Sequence, residues 1–107
     1  MRFTQAALIS LVLTVSTPPA FAVITFGSYD CGQWFNAGPP AKSWLLGFLS
    51  GVNFMVANPK KRYDPLDTMN SAEQAYLWMD NYCKANPLKT IANGASDLYM
   101  ELQEKSK

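Results

Sequence analysis

The side chains of this chain that could do chemistry are few, and its carboxylates come first. Asp97, Glu101 and Glu104 recur at helical spacing and would share one face, as paired groups for acid–base work must. They sit near the C-terminus with Lys105 beside them, however, and the pattern around them predicts no cleft. Asp64 and Asp67 flank Pro65 and lack the oxygen-ligand spacing of a calcium loop. The chain has no histidine, so neither a Ser–His nor a Cys–His pair can form, and the usual zinc partners of cysteine are missing. There is no glycine-rich phosphate cradle. This inventory predicts no catalytic residue, no metal and no cofactor, and a protein that is not an enzyme.

Two thiols remain, Cys31 and Cys83. Without a C-x-x-C spacing they do not read as a redox motif. In an exported small domain an even cysteine count reads as a disulfide framework, and two cysteines permit one pairing. Closing a loop of about 50 residues would restrict the unfolded chain by roughly 4 kcal/mol, a large share of the stability of a domain with a thin core.

Export is read from the N-terminus. Met1-Arg2 gives a positive start, an apolar run follows from Ala6 to Val15, and Ala20-Phe21-Ala22 is a small-x-small cleavage site. The apolar run falls well short of the roughly 20 residues that cross a bilayer. Residues 1–22 are therefore expected to be a cleaved signal peptide, leaving 23–107 as one domain with no stable membrane insertion. Cys31 is too far from the cleavage site to carry a lipid.

Lys and Arg number 9 against 8 Asp and Glu, and removing Arg2 with the leader leaves the mature piece neutral. Phosphate binding wants a cationic excess, so nucleic acid is not an expected partner. Nor does the balance give a reason to expect an anionic membrane surface.

Periodicity predicts an all-α fold, a small bundle of three main helices after a short helical turn from Tyr29 to Phe35 that holds Cys31. The first main helix should run from about Ala41 to Ala57, with Trp44, Leu45, Phe48, Leu49, Val52, Met55 and Val56 on one broad face. Gly47 and Gly51, one turn apart, each cost about 1 kcal/mol inside a helix, which points to close approach of another helix or chain. The second should start at Asn70 with Glu73 completing a capping box, or at Ser71, and carry Ala72, Ala75, Tyr76, Met79, Tyr82 and Cys83 inward. Asp80 and Lys84 are spaced for an ion pair on its wet side. Leu77 and Trp78 lie beside that stripe, so this helix either forms the centre of the bundle, the preferred reading, or presents a patch to a partner. Asn86-Pro87 should open the third helix, with Leu88, Ile91, Ala92, Ala95, Leu98, Tyr99 and Leu102 inside, Gly94 weakening its middle and the tail fraying from Gln103. Between the first two helices, Asn58 to Met69 forms a loop whose Lys60-Lys61-Arg62 is either a solvated run or a partner-binding edge. The candidate binding surface is Trp44, Gly47, Gly51, Lys60, Lys61, Arg62 and Trp78.

The cysteine in a short helix (Asp30-Cys31-Gly32-Gln33-Trp34-Phe35), a middle helix, and a helix ending Tyr82-Cys83-Lys84-Ala85-Asn86-Pro87 resemble the HdeA/HdeB acid-stress chaperones. Trp44-Leu45-Leu46-Gly47-Phe48-Leu49-Ser50-Gly51 is similar instead to the G-x-x-x-G helix of Tai-type immunity proteins. The first resemblance implies a periplasmic holdase that binds unfolded clients in acid, the second an inhibitor of one dedicated enzyme. A structural envelope subunit is a third expectation. Either way the partner is protein, and the chain is expected to be a monomer or weak homodimer.

Overall fold

The helices begin where the sequence offers an N-terminal signal, although not always the expected one. The computed structural model describes residues 24–107, with α1 at Cys31–Ala37, α2 at Pro39–Val56, α3 at Ala72–Ala85 and α4 at Ile91–Lys105. Two 3-10 turns, Pro59–Lys61 and Pro65–Thr68, shape the link from α2 to α3. The fold is all-α, three main helices preceded by a short one, with no strand among the described residues. The expected leader, 1–22, lies outside those residues.

A capping box opens α1: the Asp30 carboxylate accepts from Gln33 N–H at 2.8 Å and the Gln33 side chain accepts from Asp30 N–H at 3.0 Å. Gly38 turns the chain into α2 at φ 64°, which glycine adopts without a Cβ penalty. Pro39 and Pro40 then fill the first positions of α2, where a missing N–H costs nothing, so this helix starts ahead of the expected Ala41.

One expected start takes its alternative form and another is displaced. Ser71, not Asn70, caps α3 and makes no side-chain cap bond; Gln74 takes the third position from Glu73 and accepts from Asn70 N–H at 2.8 Å. Asn86-Pro87 ends α3 but does not open α4, which Thr90 caps through a box with Asn93. The cause is a backbone bridge: Cys31 N–H donates to the Lys89 carbonyl and Ile91 N–H to the Tyr29 carbonyl, both at 2.9 Å, which holds residues up to Thr90 out of helix. Leu88, expected inside, is 98% exposed in that turn. The tail expected to fray stays helical to Lys105.

The core comprises Cys31 and Trp34 of α1, Ala41, Leu45 and Leu49 of α2, Ala75, Met79 and Cys83 of α3, and Ile91, Ala95, Leu98, Tyr99 and Leu102 of α4. The central helix is α4, on which α2, α3 and the second 3-10 turn all pack, rather than α3 as expected. The close approach of helices occurs at Gly94. A Cβ there would lie 2.7 Å from Met79 Sδ and 2.8 Å from Tyr82 Cδ1, so α3 sits where the methyl would be. At Gly47 and Gly51 a Cβ would meet nothing within 4 Å, so no helix among the described residues approaches them. Met55 is likewise 80% exposed. At 100° per residue it lies about 80° away from Leu45, off the buried face.

Candidate functional site

Cys31 and Cys83 form the expected disulfide, Cα to Cα 4.9 Å, joining the start of α1 to the end of α3. One helical turn along each partner a second tie runs in parallel. The Trp34 indole N–H donates to Asp80 Oδ1 at 2.7 Å, and Trp34 is buried. This contact replaces the expected Asp80–Lys84 ion pair, because Asp80 faces α1 rather than open water. The bridge to Lys89 and Ile91 is a third tie, so α1 is held covalently, by a charge-assisted hydrogen bond and by backbone pairing.

The surface candidates fall on three separate regions. Trp44 and Gly47, with Thr25, Phe26 and Phe48, line a shallow shelf where the start of the described chain crosses α2. There Trp44 stacks on Phe48 with centroids 5.4 Å apart and donates its indole N–H to the Phe26 carbonyl at 2.7 Å. Gly51 lies one turn further along the same exposed side of α2. Lys60, Lys61 and Arg62 stand exposed on the turn that follows α2. That turn is closed by paired backbone bonds between Asn58 and Tyr63, at 2.7 and 3.0 Å, with Arg62 at φ 52°.

Trp78 belongs to the third region, a groove of about 350 Å³ between α3, α4 and the second 3-10 turn. Met69, Trp78, Leu98 and Leu102 supply apolar lining, while Gln74, Asn81, Glu101 and Lys105 supply polar groups. Trp78 is stiffened by stacking on Tyr82, centroids 5.3 Å apart and planes 13° from parallel. The half-buried Trp78 and the exposed Leu77 beside it give α3 an outward apolar side as well as its core stripe.

The C-terminal carboxylates are paired along their own helix, Glu101 with Lys105 at 3.6 Å and Glu104 with Lys107 at 2.9 Å. The hydrogen bond that Lys107 donates to the Glu104 carboxylate raises its ammonium above the ordinary value. No group of three or more His, Cys, Asp or Glu side chains that could hold a metal occurs among the described residues. No charged side chain is buried among them either. Two tyrosine hydroxyls are pushed up: Tyr82 by burial and then by the nearby Asp97 carboxylate, Tyr99 by burial and then by Tyr63 and Asp64.

Three structural residues escaped the sequence reading: Asn53, Tyr99 as a donor, and Asp80 as an acceptor. Asn53 joins three segments, its amide donating to Asp64 Oδ1 at 2.9 Å and its carbonyl oxygen accepting from Tyr99 O–H at 3.0 Å and Leu66 N–H at 3.3 Å. It is the sole amide side chain of α2, flanked by Val52 and Phe54, and that isolation was the available signal. No family model, curated protein or solved structure matches the chain.

Proposed function

We propose that this chain is an exported protein-binding domain, working as an acid-stress holdase of the HdeA/HdeB kind in the periplasm. One observation supports this reading above the others: large apolar side chains stand exposed on every helix of a fold whose two cysteine-bearing helices are covalently joined. Phe35 on α1, Phe54 and Met55 on α2, Leu77 on α3 and Met100 on α4 are all outward. Scattered contacts of this sort suit clients of no fixed shape better than a single lock-and-key partner.

Acid would add to them. As the carboxylates protonate, net charge climbs from near zero to about +8, and self-repulsion loosens the packing. The disulfide spans 52 residues and keeps α1 on α3 while the rest opens. Replacing both cysteines by serine should lower stability by about 4 kcal/mol, read as a shift of the urea midpoint at neutral pH.

The test is suppression of client aggregation, followed by light scattering at about pH 2 to 3 and at pH 7. Suppression confined to acid, with loss of near-UV circular dichroism and dependence on the disulfide, is the expected result. A fold that stays native in acid, or no suppression, overturns the reading. The immunity-type alternative draws on a different observation, the Asn58–Tyr63 turn closed by its own backbone bonds, as a pre-organised docking edge must be.

A further inference from the structure

The last turn of α2 and the turn that follows it are adjacent in the chain and divide their chemistry in an unusual way. From Ser43 to Asn58 the sequence carries no charge, and Ser43, Gly47, Ser50, Gly51, Phe54 and Met55 are all exposed. Phe54 is 85% and Met55 80% exposed, adjacent in the last turn of the helix. Immediately after them come Lys60, Lys61 and Arg62, three consecutive cations on the closed turn. Among the described residues none of the three is ion-paired. The neighbouring Asp64 is turned back onto the Asn53 amide, 2.9 Å away. Arg62 occupies a left-handed position at φ 52° that glycine or asparagine adopts more easily, so the third charge is held there against backbone preference.

We propose that this surface docks on the face of an anionic phospholipid bilayer, with Phe54 and Met55 entering the headgroup layer and Lys60, Lys61 and Arg62 meeting the phosphates. The chain as a whole is close to neutral, so the attraction is local to the turn and invisible in net charge. Charge complementarity selects the occupant. Three adjacent, unneutralised cations beside projecting apolar side chains are the elements of interfacial binding, where apolar insertion and attraction to anionic lipid act together. The cations are consecutive and exposed on the turn, two of them lysines, which suits a diffuse sheet of phosphates more than the fixed carboxylates of a shaped protein site. The binding is peripheral: no helix among the described residues is long and apolar enough to cross a membrane. The inference does not depend on the holdase reading.

The exported, disulfide-bonded protein is sedimented with vesicles of phosphatidylcholine alone and with vesicles containing one-third phosphatidylglycerol, in about 0.05 M and about 0.5 M salt. Binding to the anionic vesicles only, released by the higher salt, is the expected result. Lys60→Gln, Lys61→Gln and Arg62→Asn together should weaken it by more than about tenfold, asparagine being chosen because it tolerates the left-handed backbone. Phe54→Ser with Met55→Ser should weaken it by roughly tenfold while leaving the salt dependence in place. Lys84→Gln with Lys89→Gln, which removes exposed cations from another part of the surface, should leave it unchanged. All these side chains are exposed, and near-UV circular dichroism checks that each variant keeps its fold. Equal binding to neutral vesicles, binding to neither, an equal loss in the Lys84/Lys89 variant, or full binding by the triple variant each overturns the proposal. Retention on a polyglutamate matrix without vesicle binding also overturns it, and makes an acidic protein the partner of this turn.

Discussion

Helices α2 and α4 divide the work of this fold against their composition. α2 is the longer, 18 residues against 15, and after Lys42 it holds no charge, yet only Ala41, Leu45 and Leu49 are buried. α4 contains Asp97, Glu101, Glu104 and Lys105 and still buries Ile91, Gly94, Ala95, Leu98, Tyr99 and Leu102. Apolar content does not rank helices by burial. What decides it is how extensively the neighbours cover each helix, not how many touch it: α4 is closely packed by α2, α3 and a 3-10 turn, whereas α2, although it meets α1, α3, α4 and that same turn, leaves one long side open. The open side has Phe54 and Met55 facing solvent, and it is where an interaction would be gained without loss of the core.

The sharpest way to break this comparison is truncation at equal chemistry. Leu98→Ala in α4 should cost about 2–5 kcal/mol, while Phe54→Ala, a larger deletion in α2, should stay within about 0.5 kcal/mol. Urea unfolding of the two variants measures both, and a Phe54→Ala cost near that of Leu98→Ala would mean the α2 face is covered in solution. A smaller contrast comes from the glycines. Gly94→Ala should destabilise by about 1–3 kcal/mol, since the new methyl meets Met79 Sδ at 2.7 Å and the Tyr82 ring at 2.8 Å. Gly47→Ala, facing open space, should stabilise by up to about 1 kcal/mol through helix propensity.

The finest contrast sets one tyrosine against another. Tyr99→Phe removes the hydrogen bond to Asn53 and should cost about 1 kcal/mol. The buried Tyr82 hydroxyl makes no hydrogen bond within 3.5 Å among the described residues, although the Asp97 carboxylate stands near enough to raise its pKa, so Tyr82→Phe should cost less than Tyr99→Phe. Both phenols are raised in the folded state, which therefore holds their protons more tightly than the unfolded chain does. Their contribution is fully present below the unfolded value of about 10 and drains away as pH rises from there through the folded values. Stability measured from pH 9 to 12 should fall with pH, and fall less in the Tyr82→Phe variant.

Much of this architecture was legible in the residues. The stripes at Leu45 and Leu49, at Ala75, Met79 and Cys83, and at Ile91, Ala95, Leu98 and Leu102 fall on the helices their spacing predicts, because a period of 3.6 is a local property. Of the candidate site, the disulfide was legible and the surface was not: Trp44 with Gly47, Lys60 to Arg62, and Trp78 turn out to lie on three different regions. Which outward residues converge depends on rotation between helices, and no local pattern encodes that.

Local pattern was enough for the all-α class, the positions of the helices to within a few residues and the single cysteine pairing. These follow from propensity, caps and a count of two. Packing set the rest: α4 rather than α3 is central, another helix closes on Gly94 and not on Gly47 or Gly51, and Leu88 and Met55 face water. The start of α4 was settled the same way, by a bridge to Tyr29 and Cys31 some 60 residues distant in sequence. Each of these outcomes depends on which surfaces meet, and that is fixed by the whole chain packing at once.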